Sequence, residues 1–154
     1  MNKSHYYNKD KGDGKIMDRS LLIRKAFEAM EFSYSPYSNF QVGAALLTKS
    51  GKIYTGCNIE SVAFTPTVCG ERTAIFKAVS EGEREFEALV AVGGPKDKDW
   101  DELGWSGPCG VCRQVINEFC KGDLKIIIAK SEEVYKEFTL EELLPYGFGP
   151  EHIG

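Results

Sequence analysis

The chain has 154 residues, 42% hydrophobic and 27% charged, with a formal net charge of −4. These values suit one globular domain with a core of its own; they lack the basic excess that a polynucleotide partner needs and any apolar run long enough to span a bilayer. Five cysteines, an odd number, follow an N-terminus without the apolar stretch of a signal peptide, which argues against a secreted disulfide framework and for reduced thiols in the cytoplasm.

Residues 1–16 are polar and offer little to bury, so they are expected to form a flexible extension to a single domain over 17–154. A first helix is predicted from Asp18 or Ser20, either of which can cap, with Leu21, Leu22, Ala26, Ala29 and Met30 on its buried face. "SPYSNF", from Ser35 to Phe40, ends it with Pro36 and turn residues. Strands follow over 40–47 and 52–59, joined by the short turn "TKSG". The next helix is predicted over 67–81, with Ala74, Ile75, Ala78 and Val79 buried and Gly82 as terminator.

"ALVAVGG", Ala88 to Gly94, is a continuous apolar run that suits a strand buried on both faces. A long polar loop carrying Trp100 and Trp105 leads to Pro108. A third helix is predicted over 110–121, with Val111, Val115, Ile116 and Phe119 on one face. "LKIIIA" reads as a buried strand, "VYKEFTL" as an edge strand and "LEELLP" as a short last helix. The order α-β-β-α-β-α-β-β-α predicts a three-layer α-β-α sandwich around a mixed sheet of about five strands.

"PCGVC", Pro108 to Cys112, places two thiols three positions apart at a helix start, a spacing that can hold one metal ion, serve as a redox pair or bury two small side chains. Cys69 also stands at a helix start, where the helix dipole favours a thiolate. If both helices begin at one sheet edge, Cys69, Cys109 and Cys112 converge and leave a fourth tetrahedral position open, as in a catalytic zinc site. Cys57 and Cys120 are alternative ligands, although their positions in a strand and deep in a helix suit buried apolar roles better. His5 lies in the extension and His152 near the C-terminus. Glu71, two positions after Cys69, can face the open position and move protons there; alone, it would be a favourable charge in a first helical turn. Arg72 can donate to the thiolates and offset their charge, or be an exposed helical arginine.

This pattern, CxE followed by PCxxC with each opening a helix, resembles the zinc-dependent cytidine deaminases of nucleoside salvage. "FQVGAALLTKSGKIYTGCNIE", "ERTAIFKAVSEG", "PCGVCRQVINEFC" and "LLPYGFGPE" look like segments of the same family, so that the likeness runs from about Leu21 to Glu151. The resemblance implies one zinc ion per subunit, a small nucleoside substrate and a homotetramer. It also implies that Asn58 and Glu60 bind the ribose hydroxyls, as two side chains sharing a strand face can. Phe40 would pack on the nucleoside, Gly70 would offer backbone groups to the base, and Phe148 would reach the active site of a neighbouring subunit. Two features depart from the family: Gly70 stands where alanine is usual, and Ser61 and Val62 flank the ribose pair in "NIESVAF". The reaction implied is hydrolysis of cytidine or 2'-deoxycytidine to the uridine product and ammonia. A deaminase of a modified or antibiotic nucleoside such as blasticidin S is the alternative within the class. Outside it stand a zinc-stabilised binding module, which would need four protein ligands, and a thiol–disulfide protein.

Overall fold

Asp18 accepts a hydrogen bond from the Leu21 N–H at 3.0 Å and caps helix α1, Arg19–Met30. The computed structural model describes residues 17–99, 102–120 and 122–154; the expected extension over 1–16 and Trp100 lie outside the described residues. Helix α1 buries Leu22, Ile23, Ala26, Phe27, Ala29 and Met30. Its inward stripe is therefore rotated from the predicted one: Ile23 and Phe27 join the core, and Leu21 is half-buried.

Strands β1 (Phe40–Thr48) and β2 (Ile53–Cys57) form the expected antiparallel hairpin. Helix α2 (Gly70–Ser80), strand β3 (Phe86–Pro95), helix α3 (Gly110–Phe119), strands β4 (Lys125–Ala129) and β5 (Tyr135–Phe138) and helix α4 (Leu140–Leu143) follow, with a 3-10 turn at Pro150–His152. The sheet order is β2-β1-β3-β4-β5. Only β3 and β4 pair in parallel, so the sheet is mixed.

Alternation along the strands divides the interior into two layers. On one face Ala45, Ala88, Val90, Val92, Ile127 and Ala129 pack against α1. On the other, Ala44, Leu46, Leu89 and Ile126 meet Ala74, Ile75 and Ala78 of α2, Ile116 of α3 and Leu140 of α4. Val111 of α3, expected inside, is exposed, and its neighbour Cys112 is buried instead. The predicted apolar stripe of α3 is thus displaced towards the thiol.

The topology brings two helix starts together. β1 is antiparallel to both β2 and β3, so those two strands run the same way and end at the same sheet edge. α2 leaves after β2 and α3 after β3, so both N-termini arrive at that edge.

Gly56 sets how closely α2 approaches. A Cβ there would lie 2.5 Å from Ala74 N and nearer still to the carbonyl oxygen of Gly70. Both are backbone atoms, which cannot rotate away. Gly56→Ala is expected to destabilise the fold by about 1–3 kcal/mol, as overpacking does. Denaturant unfolding checks this, with Gly104→Ala, where an added Cβ meets nothing within 4 Å, as the neutral comparison.

Candidate active site and metal centre

Cys69 is the N-cap of α2, with extended backbone angles of φ −78° and ψ 159°. Because this residue is not yet helical, its side chain and that of Glu71 need not diverge. Cys109 is the N-cap of α3 in the same extended state, φ −68° and ψ 169°, and Cys112 lies in the first turn. The Sγ atoms of Cys69 and Cys109 are 3.8 Å apart, and those of Cys109 and Cys112 are 3.6 Å apart. All three lie within 4.8 Å of one another, the only such group of metal-ligating side chains among the described residues. Tetrahedral zinc with bonds of about 2.3 Å to sulfur needs sulfur separations of about 3.8 Å. The thiols fit that ion.

Glu71 is 2% exposed, and its Oε2 lies 3.9 Å from Cys112 Sγ. Burial, the main cause, pushes its carboxyl up to about 7, and the charge of Cys69 adds to the rise. The Cys69 thiol is drawn down to about 5, chiefly by its hydrogen bond with Cys112 and further by Arg72. Cys112 moves strongly the other way, through that same bond and burial. The thiol cluster thus favours negative charge on Cys69.

Arg72 Nη2 lies 3.8 Å from Cys69 Sγ and 3.4 Å from the carbonyl oxygen of Thr67. Its buried Nε has no partner. Thr73, which carries no signal in the sequence, anchors the helix start: its hydroxyl lies 3.0 Å from the carbonyl oxygen of Cys57 and 3.3 Å from that of Cys69. Gly70 packs on β2. A Cβ at this position would sit 3.2 Å from Gly56 O, 3.3 Å from Cys57 Cα and 3.3 Å from Val42 Cγ1. An alanine would press on that contact, so the glycine suits a close approach of helix to strand. Cys57 and Cys120 stand apart from the cluster; burial raises both thiols, that of Cys120 to about 12.

Asn58 and Glu60 both turn towards the segment that links α1 to β1. The predicted strand ends two residues early, because Ile59 leaves the ladder to bridge Tyr34 and Val68. Asn58 is buried. Its Oδ1 accepts from Val42 N–H at 2.8 Å and from the Ser33 hydroxyl, and its Nδ2 donates to Phe40 O at 2.8 Å. Glu60 accepts from the Ser38 hydroxyl and from the N–H groups of Tyr37, at 2.8 Å, and Ser38, at 3.3 Å. The Ser38 hydroxyl first, then those amides, holds its carboxyl below the usual range. Ser61 donates its N–H to Thr67 Oγ1 at 3.1 Å, while Val62 is exposed. Phe40, at the start of β1, is 37% exposed.

Phe148 is remote in sequence and 59% exposed, and its ring stacks on His152 with centroids 5.1 Å apart. On the loop before Pro108, Trp105 lies under two lysines, Lys136 at 4.3 Å and Lys130 at 5.6 Å from the ring centroid.

The sequence profile described as "Cytidine and deoxycytidylate deaminase zinc-binding region" matches residues 17–129. The chain belongs to the cytidine and deoxycytidylate deaminase family. A cytidine deaminase of Sporosarcina psychrophila is 47% identical over 137 residues, covering 89% of this chain and 96% of that one. The crystal structure of cytidine deaminase from Burkholderia pseudomallei has a TM-score of 0.74 at 40% identity and covers 83% of this chain and 97% of that one. A blasticidin-S deaminase of Bacillus cereus is 35% identical over 80% of this chain and 87% of its own length. The cytidine deaminase fold and the three-thiol cluster therefore occur together in this deaminase chain, with Glu71 buried beside the sulfur atoms.

Asn58 has a structural duty whatever else it binds. Asn58→Ala is expected to cost at least about 2 kcal/mol, because the Val42 N–H, the Ser33 hydroxyl and the Phe40 carbonyl lose a buried partner. A thermal or denaturant unfolding curve measures this; an unchanged curve would mean that water replaces the amide without loss.

Proposed function

We propose that the chain hydrolyses cytidine and 2'-deoxycytidine, replacing the exocyclic amino group with oxygen and releasing ammonia. The observation that carries this is Glu71: a carboxyl 2% exposed, 3.9 Å from a thiol of a three-sulfur cluster. An isolated first-turn glutamate would be solvated; this one is enclosed beside a set of sulfur atoms that suits zinc. Cys69, Cys109 and Cys112 would hold the ion. The chemistry that bound zinc supplies is the acidification of water at neutral pH.

The chain's own residues do the rest. Glu71 takes a proton from water and gives it to the ring N3 of cytosine, which makes C4 electrophilic. The oxygen freed of that proton adds to C4; Glu71 then carries the oxygen's remaining proton to the amino group, the C4–N bond breaks and ammonia leaves, so one carboxyl serves as base and later as acid. Cytidine and water thereby become uridine and ammonia. Arg72, close to Cys69 Sγ, offsets thiolate charge that would otherwise oppose this chemistry. Gly70 offers backbone groups to the base.

Asn58 and Glu60 serve the ribose as well as the loop they hold. An amide nitrogen carries two N–H groups, and only one of those on Asn58 is spent, on Phe40 O. A carboxylate can accept about four hydrogen bonds, and Glu60 has room for a hydroxyl. Phe40 packs against the nucleoside. Phe148 completes the site of a neighbouring copy in a homotetramer. The exposure of Phe32, Val62, Phe64 and Phe148 is consistent with faces that other subunits cover. The catalytic domain begins at about residue 17, and the enzyme works in the cytoplasm. Among the described residues no helix is long and apolar enough to cross a membrane.

Glu71→Ala should lower turnover by at least about a hundredfold, with zinc content and unfolding curve close to those of the parent. Ultraviolet monitoring of cytidine consumption reads the rate; near-parental turnover would remove Glu71 from the mechanism. Single alanine variants of Cys69, Cys109 and Cys112 should lose zinc, as determined by metal analysis of the purified proteins, and full zinc content in any of them would contradict that ligand. Cytidine, 2'-deoxycytidine and blasticidin S assayed side by side should rank the first two well above the third.

A further inference from the structure

The exposed side of α3 holds the C-terminal segment by its backbone. Arg113 donates from Nε to Pro108 O at 2.8 Å and from Nη1 to Leu143 O at 2.6 Å. One guanidinium therefore joins the residue before Cys109 to the end of α4. Next along the helix, Gln114 Nε2 and Asn117 Nδ2 both donate to a single acceptor, Phe148 O, at 2.7 and 3.0 Å. His152 lies against the Phe148 ring, and its Nδ1 receives the Gly149 N–H at 3.0 Å. The Phe148 backbone is thus fixed to the helix that carries Cys112, while the ring projects outward.

These bonds are costly in side-chain freedom. Three long or branched polar side chains are committed to carbonyl groups of one short segment. Bonds from a charged guanidinium are also stronger than neutral ones. Structural docking of a C-terminus could be achieved by apolar contacts alone. Here an exposed aromatic is held at a set distance from the thiol-bearing turn.

We propose that Arg113, with Gln114 and Asn117, is a positioning residue for the reaction: it couples the Cys109–Cys112 turn to the C-terminal segment and so sets where the Phe148 ring meets substrate. This rests on the reading of Phe148 as a substrate contact. The coupling itself rests on the observed bonds. Because the ring serves a neighbouring copy, the turn that holds one subunit's thiols also places part of the next subunit's pocket.

The test compares zinc-loaded parent, Arg113→Lys, the paired variant Gln114→Ala/Asn117→Ala, and Phe148→Ala. Lysine keeps the charge but carries its three N–H groups on one nitrogen, so it lacks the planar fork by which separate nitrogens of Arg113 meet the two carbonyls. Amide hydrogen exchange over residues 144–149 should rise about tenfold or more in Arg113→Lys and in the paired variant, as loss of charge-assisted or doubled bonds implies, with exchange in β3 and β4 unchanged. KM for cytidine should rise with kcat within about twofold, the pattern of lost binding rather than lost chemistry. Arg113→Lys added to Phe148→Ala should raise KM no further. Parental exchange over 144–149 in both clamp variants overturns the coupling. A fall in kcat with KM unchanged overturns the positioning role. Parental KM in Phe148→Ala overturns the substrate reading of that ring, and the exchange data then still decide the coupling separately.

Discussion

Everything in this molecule turns on two helix N-termini meeting at one sheet edge. Each start carries an N-cap cysteine in extended backbone, and each offers the positive end of its peptide dipoles to a thiolate. Concentrating thiolates is electrostatically unfavourable, and the fold answers it with two helix starts and a guanidinium. Glu71 adds to the strain, as a buried acid whose carboxyl is pushed up to about 7 chiefly by loss of solvent. A cation at this point relieves all of these groups at once. That is why the chemistry of the donors and the topology of the sheet lead to the same conclusion.

The sheet pays for this juxtaposition in side-chain volume. α2 must lie against the backbone of β2, and Gly56 and Gly70 face each other across that contact. Thr73 then pins the first turn to the end of the strand. Asn58 and Glu60 make the α1–β1 segment follow the end of β2. The α1–β1 segment and the first turn of α2 are therefore both anchored to the β1–β2 hairpin, and small errors in that hairpin reach the thiols directly.

The alternation of helices and strands was legible because each buried strand is a plain apolar run and each helix start is marked by a turn. The three thiols and Glu71 were legible for a different reason: few chemistries need those residue types at those spacings. What could not be read was the rotation of helices about their own axes. Leu21 and Val111 look as apolar as Ile23 and Ile116, and only the packing partners decide which ones turn inward. Asn58 shows the same limit for polar groups. Nothing local says that its amide is largely spent on Val42, Ser33 and Phe40. Arg113 gave no signal either, because its acceptor Leu143 comes from an element thirty positions away.

The number of sulfur atoms around the ion separates an open, catalytic centre from a closed one. X-ray absorption at the zinc edge of the purified protein measures it without reference to activity. One zinc ion per chain, surrounded by three sulfur atoms at about 2.3 Å, is expected. Four sulfur atoms around the ion would contradict it, for such a site is closed, and Glu71 would then face a metal with no place for substrate chemistry.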